Sequence, residues 1–309
     1  MSVMAQPDTG DARVEALGRL IDAHLNHVNQ QLGPEIETKP GSLCAVERTT
    51  SESGPNGLWT DEPPHTAFSV VNLKLIAAKD HLLALRRLLE PPVTLFGPMT
   101  MARASVEASA AAYWLLDPSI SMRQRVARSL GGRLDSAEES ANAMRLLTDG
   151  WKDNGAVDAI RTEAAELGVR VKRPPSLTQL VGEVMSGNMT SPKRGEGLYK
   201  FMSAIAHGTN YAVLNYFREI GPADDPRSHR IEGYVPIQAF EWSVAATLGA
   251  HTSAVDRVFT YCGLDRWAWD GWMKHVGKVL HANDAAMMRR SLASAKERDT
   301  SAGENPRRG

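Results

Sequence analysis

Between Lys200 and Arg218 the chain runs for seventeen residues, 201 to 217, without one Asp, Glu, Lys or Arg. Between Glu90 and Asp117 it carries two, Arg103 and Glu107. Burying a charge is costly unless it is paired, so stretches this poor in charge belong inside. A helix with almost no charge around its circumference is central rather than peripheral. The two stretches therefore predict two helices lying side by side in the middle of an all-α bundle. Composition agrees. Hydrophobic residues make up 42% of the 309 residues, enough for a sizeable core, while aromatics are only 6%. Alanine is plentiful, which suits packed helices better than sheets.

Breaks between helical segments are marked by proline and glycine. Apolar residues at 3–4 residue spacing predict helices over Asp11–Leu32, His65–Leu89, Gly97–Leu116, Ser121–Asp149, Ala156–Leu167, a segment opening at Ser176, Leu198–Ile220, Ile237–Cys262 and Trp267–His281. Gly131-Gly132 is read as a kink in the fourth, Gly187–Gly197 as a loop, and Tyr234-Val235 as the nearest approach to a strand. The expected organisation is an N-terminal helix over 1–32, a Gly/Pro/Ser-rich loop or linker over 33–64, one bundle of about eight helices over 65–288, and a disordered polar tail over 289–309.

Charge is balanced, with 35 Lys+Arg against 36 Asp+Glu, which excludes a broadly basic nucleic-acid binder and a highly charged disordered chain. No run reaches the roughly 18 apolar residues of a membrane span, and the N-terminus lacks the pattern of a secretory leader. The expected setting is cytoplasmic, with no membrane partner. Cys44 and Cys262 lie far apart and form no Cys-x-x-Cys motif, so a disulfide framework is not expected. Gly-x-Ser-x-Gly, the phosphate-binding Gly-x-x-x-x-Gly-Lys-Ser/Thr and Gly-x-Gly-x-x-Gly are absent, so neither an activated serine nor a nucleotide loop is indicated. No cofactor and no metal is expected. Asp22, His24 and His27 on the first helix read as half-buried side chains rather than metal ligands. Arg123, Arg125, Arg128 and Arg133 scatter around their helix and, with Arg170, Lys172, Arg173, Lys193 and Arg194, read as solvated faces and loops. Trp267, Trp269 and Trp272 read as closing a core or a dimer contact rather than as an aromatic cage.

The polar residues kept by the two chargeless helices are the candidate site. At about 100° per residue, Tyr199, Ser203, His207 and Asn210 fall within roughly 80° of one another. Arg103 and Glu107 share a face at i,i+4, in the order less favourable for a local pair, which points to partners on another helix. The two strips are expected to face each other, with Glu107 accepting from His207 and Arg103 meeting Tyr199 or Ser203. Two readings follow. In one, the cluster is a buried polar network fixing helix register in a non-enzymatic binding or scaffold module. In the other, His207 is an acid/base group oriented by a carboxylate.

The segment Tyr199-Lys200-Phe201-Met202-Ser203-Ala204-Ile205-Ala206-His207-Gly208 resembles the late helix of the HEPN superfamily. These are all-helical domains, many of them metal-independent RNases of toxin and defence systems. Their hallmark is an Arg followed after four to six residues by a His, paired across two protomers. The resemblance implies RNA as substrate, a homodimer, His207 as general base on a ribose 2′-OH and Lys200 as the phosphate-holding group. Lys200 stands here where that family has Arg, and it lacks the bidentate fork. Phe201 stands where a polar residue is usual. An Arg-x-x-x-Glu helix followed by a Tyr/Ser/His helix also resembles helical bacterial families with no assigned activity.

Overall fold

A computed structural model describes residues 10–33, 36–149, 151, 155–186, 192–209, 217–222, 229–233, 237–276 and 278. The fold is all-α. Its helices are α1 (Gly10–Leu32), α2 (Leu43–Thr49), α3 (Glu62–Leu88), α4 (Gly97–Leu115), α5 (Met122–Leu147), α6 (Ala156–Glu166), α7 (Leu177–Ser186), α8 (Pro192–Ala206) and α9 (Ile237–Cys262), followed by α10 over 267–276. Two small antiparallel pairs accompany them: β1 (Ser53–Gly54) with β2 (Gly57–Leu58), and β3 (Phe217–Pro222) with β4 (His229–Gly233).

Local chemistry explains most boundaries. Ser121 caps α5 in a reciprocal box with Gln124. Ser42 caps α2 through the Ala45 N–H. Prolines open α3 and α4, where a missing N–H costs nothing. The Gly131-Gly132 pair does not break α5, and the chain at Lys172 crosses there, its N–H bonded to the Ala127 carbonyl at 3.0 Å.

α4 and α9 form the centre. α4 buries Met99, Ala102, Val106, Ala110 and Ala112, and α9 buries Val244, Ala246, Ala250, Ala254 and Val258. So many alanines at the contact bring backbones close. The Thr247 hydroxyl lies 3.4 Å from the Ala102 carbonyl, and Ser105 on α4 donates to the Ala78 carbonyl of α3 at 2.8 Å. α1 contributes Val14, Leu17, Ile21, Leu25 and Val28 to the same core, and Arg13 ties it to Glu241 of α9. A second, smaller cluster lies under Trp59 and joins Met122, Val126, Leu130 and Leu134 of α5 to Ile160 and Ala164 of α6.

Two expectations are corrected. Residues 33–64 are not a structureless loop, since they hold α2 and the β1–β2 hairpin. The chargeless run 201–217 is not one helix. α8 begins at Pro192, inside the expected loop, and stops at Ala206. Gly208 adopts φ +63, with Thr209 N–H on the Ala204 carbonyl and Gly208 N–H on the Ile205 carbonyl. That is a glycine-terminated Schellman cap. Residues from Phe217 onward pair as a strand. Nor is the run central: Met202 and Ile205 are buried but His207, Gly208 and Thr209 are exposed, so lack of charge reports neither period nor burial here. The segments Tyr234-Val235 and 289–309 lie outside the described residues. Among the described residues, no helix is long and apolar enough to cross a membrane.

Candidate functional site

α4 and α8 pack together, and the polar strips meet. Arg103 Nε donates to Glu107 Oε1 at 2.7 Å. Its Nη1 lies 3.0 Å from His207 Nε2, and its guanidinium sits 5.7 Å from the centre of the Tyr199 ring. The Tyr199 hydroxyl donates to Glu107 Oε1 at 2.9 Å. The expected pairing is thus exchanged: Glu107 takes Tyr199, and Arg103 takes His207 while stacking on Tyr199. The direction of packing explains the exchange. Moving forward from Tyr199 to His207 on α8 means moving back from Glu107 to Arg103 on α4, so the two helices run antiparallel.

Burial grades along the seam. Tyr199 is buried, Arg103 and Glu107 are about three-quarters buried, Ser203 is half-buried and His207 is exposed. Burial pushes the Tyr199 phenol up, and the facing Glu107 carboxylate adds to the rise, so it stays a neutral donor. Arginine can only donate, so His207 Nε2 accepts and the imidazole proton sits on Nδ1. His207 also occupies the C-terminal end of α8, beside the Gly208 cap. Lys200 is exposed and pairs with Glu196 one turn earlier at 2.7 Å, outside the cluster. Asn210 lies outside the described residues.

The other sequence candidates resolve individually. Asp22 accepts from Arg86 at 2.8 Å. His24 is fully buried, accepts from Trp272 at Nδ1 (3.2 Å), and so donates from Nε2 to His251 Nδ1 at 2.8 Å. His27 stacks on Trp269 and Trp272. Among the described residues, no group of three His, Cys, Asp or Glu side chains is placed to hold a metal. Trp269 is wholly buried against Phe259, and Trp267 is exposed.

The arginine run of α5 is not a solvated face. Arg125 is completely buried, with Nε 3.1 Å from Glu47 Oε2 and Nη2 3.2 Å from the Asp117 carbonyl. Arg128 lies 4.7 Å from the Trp114 ring centre and reaches Asp117. Arg123 stacks on Trp59 at 5.0 Å, and Arg133 clasps Glu163 with two bonds of 2.9 and 2.7 Å. Arg173 is likewise held by Asp135 and Glu138, at an exposed site. The Tyr261 hydroxyl donates to Glu47 at 2.7 Å and its ring lies 4.7 Å under Arg125. Burial and Glu47 push the Tyr261 phenol far up, so it stays neutral. This Glu47–Arg125–Tyr261 triad escaped sequence reasoning. Its one signal is an arginine directly before apolar Val126-Ala127.

No protein-family model matches the chain, and comparisons with curated proteins and with solved structures return no match.

Proposed function

We propose that the chain is a binding module whose recognition surface is the exposed end of the α4–α8 seam, and that the ligand presents an anionic oxygen group, a carboxylate or a phosphate. The observation that carries this reading is the Arg103–His207 contact of 3.0 Å at a solvent-facing position. A guanidinium and a neutral imidazole with its proton on Nδ1 are both donors to such a group. Glu107 and Tyr199 hold Arg103 in place from the buried side. Thermal denaturation with inorganic phosphate and with small dicarboxylates tests it. The wild type should gain in Tm, and Arg103→Ala and His207→Ala should lose that gain. No gain with any of these anions would end the proposal.

A second reading is a HEPN-like, metal-independent RNase with His207 as general base. One observation favours it. The guanidinium fork that Lys200 lacks reaches His207 from a different helix, through Arg103. Single-stranded RNA incubated with the protein in chelator decides between the two. Cleavage abolished by both His207→Ala and Arg103→Ala would replace the binding module with the nuclease.

A further inference from the structure

Cys44 and Cys262 are separated by most of the chain, yet the fold brings them together. Cys44 lies on α2 and Cys262 is the last residue of α9. The Lys39 N–H bonds to the Cys262 carbonyl at 3.0 Å, which seats the start of α2 against the end of α9. Both thiols are free and buried, and the approach continues at the next residue, where a Cβ on Gly263 would lie 2.9 Å from Ser42 Cβ. The Thr38 hydroxyl donates to Cys44 Sγ at 3.6 Å.

Cys44 also faces space. A cavity of about 160 Å³ is lined by Thr38, Cys44, Arg48, His65, Phe68 and Asn72. Arg48 and His65 are exposed, so the cavity opens to solvent. A molecule of two or three heavy atoms fits that volume.

We infer that Cys44 is an oxidation site for hydroperoxides, with Cys262 as its resolving thiol. The Cys44 thiolate attacks one peroxide oxygen. An S–O bond forms, the O–O bond breaks, and the other oxygen leaves as hydroxide (water once protonated), giving Cys44 sulfenic acid. The Cys262 sulfur then attacks the Cys44 sulfur. The S–S bond forms, the S–O bond breaks, and the departing hydroxide takes the Cys262 proton as water. In sum, two thiols and one hydrogen peroxide become one disulfide and two waters. The surroundings favour the first step. The Cys262 hydrogen bond holds the Cys44 thiol below its ordinary range, with help from Thr38 and the Arg48 charge against the opposing effect of burial. The Cys262 thiol is pushed up and keeps its proton. Cys44 lines the cavity and Cys262 does not, so Cys44 is the sulfur that meets the peroxide and Cys262 is the resolver.

The experiment uses the full chain treated with a small excess of hydrogen peroxide and analysed by intact mass without reductant. The wild type should lose about 2 Da, the two thiol hydrogens, reversibly with dithiothreitol. Cys262→Ser should instead accumulate a sulfenic acid at Cys44, trapped by dimedone, and Cys44→Ser should show neither product. Circular dichroism of each variant confirms that it is folded. A wild type whose thiols remain unchanged, or a folded Cys262→Ser protein that takes up no dimedone, would overturn the assignment.

Discussion

Glu47 is where the buried polar chemistry converges. It is 4% exposed and accepts from a guanidinium and a phenol contributed by positions 78 and 214 residues away in sequence. Removing one partner of a buried ion pair leaves the other charged and dry. Glu47→Ala should therefore destabilise the protein by about 3–5 kcal/mol in urea unfolding, and Tyr261→Phe by about 1 kcal/mol. The His24–His251 pair gives a prediction of opposite character. Burial, with the Lys79 charge added, brings His251 down to about 4 from the ordinary 6.5, and His24 also falls through burial and its histidine neighbours. A histidine with a depressed folded value binds its proton more readily when unfolded. Stability is thus full above about 6.5 and is lost as pH falls toward 4. Going from about pH 7 to about pH 5 should cost about 2 kcal/mol from His251 alone, read as the shift in urea midpoint. At this scale the α4–α8 cluster was legible, because Arg103 and Glu107 are the only charged residues of α4 and share its face, and Tyr199 and His207 share a face of α8. Their pairing order was not, because a helix face carries no sign of which way its neighbour runs. Glu47, His251 and the cysteine pair were invisible for another reason: each depends on contacts between segments far apart in the chain.

Elements followed from sequence where proline, serine caps and long apolar stripes coincided, as at the starts of α3, α4 and α5. α2 did not. Seven residues make two turns, too few to show a period, and they sit among glycines and prolines. The end of α8 was lost for a different reason, since the apolar run continues past a glycine that stops the helix. Gly131 makes a firm test of how elements are held together. A Cβ there would lie 2.0 Å from the Lys172 carbonyl oxygen, which belongs to backbone and cannot swing aside. Gly131→Ala should push residues 171–173 off α5 and destabilise by about 2 kcal/mol or more, despite alanine being the better helix former. Thermal unfolding of this single variant measures it. No loss would mean that the crossing is loose.

Among the described residues there is one large core around α4 and α9 and a smaller one between α5 and α6. Cooperative units open at different free energies. Amides of α4 and α9 should exchange slowest with deuterium, and those of α6 should exchange well before them. Uniform exchange across both clusters would contradict this division. The all-α architecture was readable from composition and charge spacing, but the second cluster was not, since it joins α5 to α6 and to Trp59 through contacts between segments far apart in the chain. The alanine-lined centre has a last consequence. Interiors filled by bulky side chains suffer most when a residue is trimmed. Here Ala102, Ala110, Ala246 and Ala250 are at most 1% exposed, and there is little to trim. A saturation library should show the reverse asymmetry, with enlargement to leucine at these four positions costing about 1–3 kcal/mol or more each. Replacement by glycine should cost only the smaller helix penalty of about 1 kcal/mol.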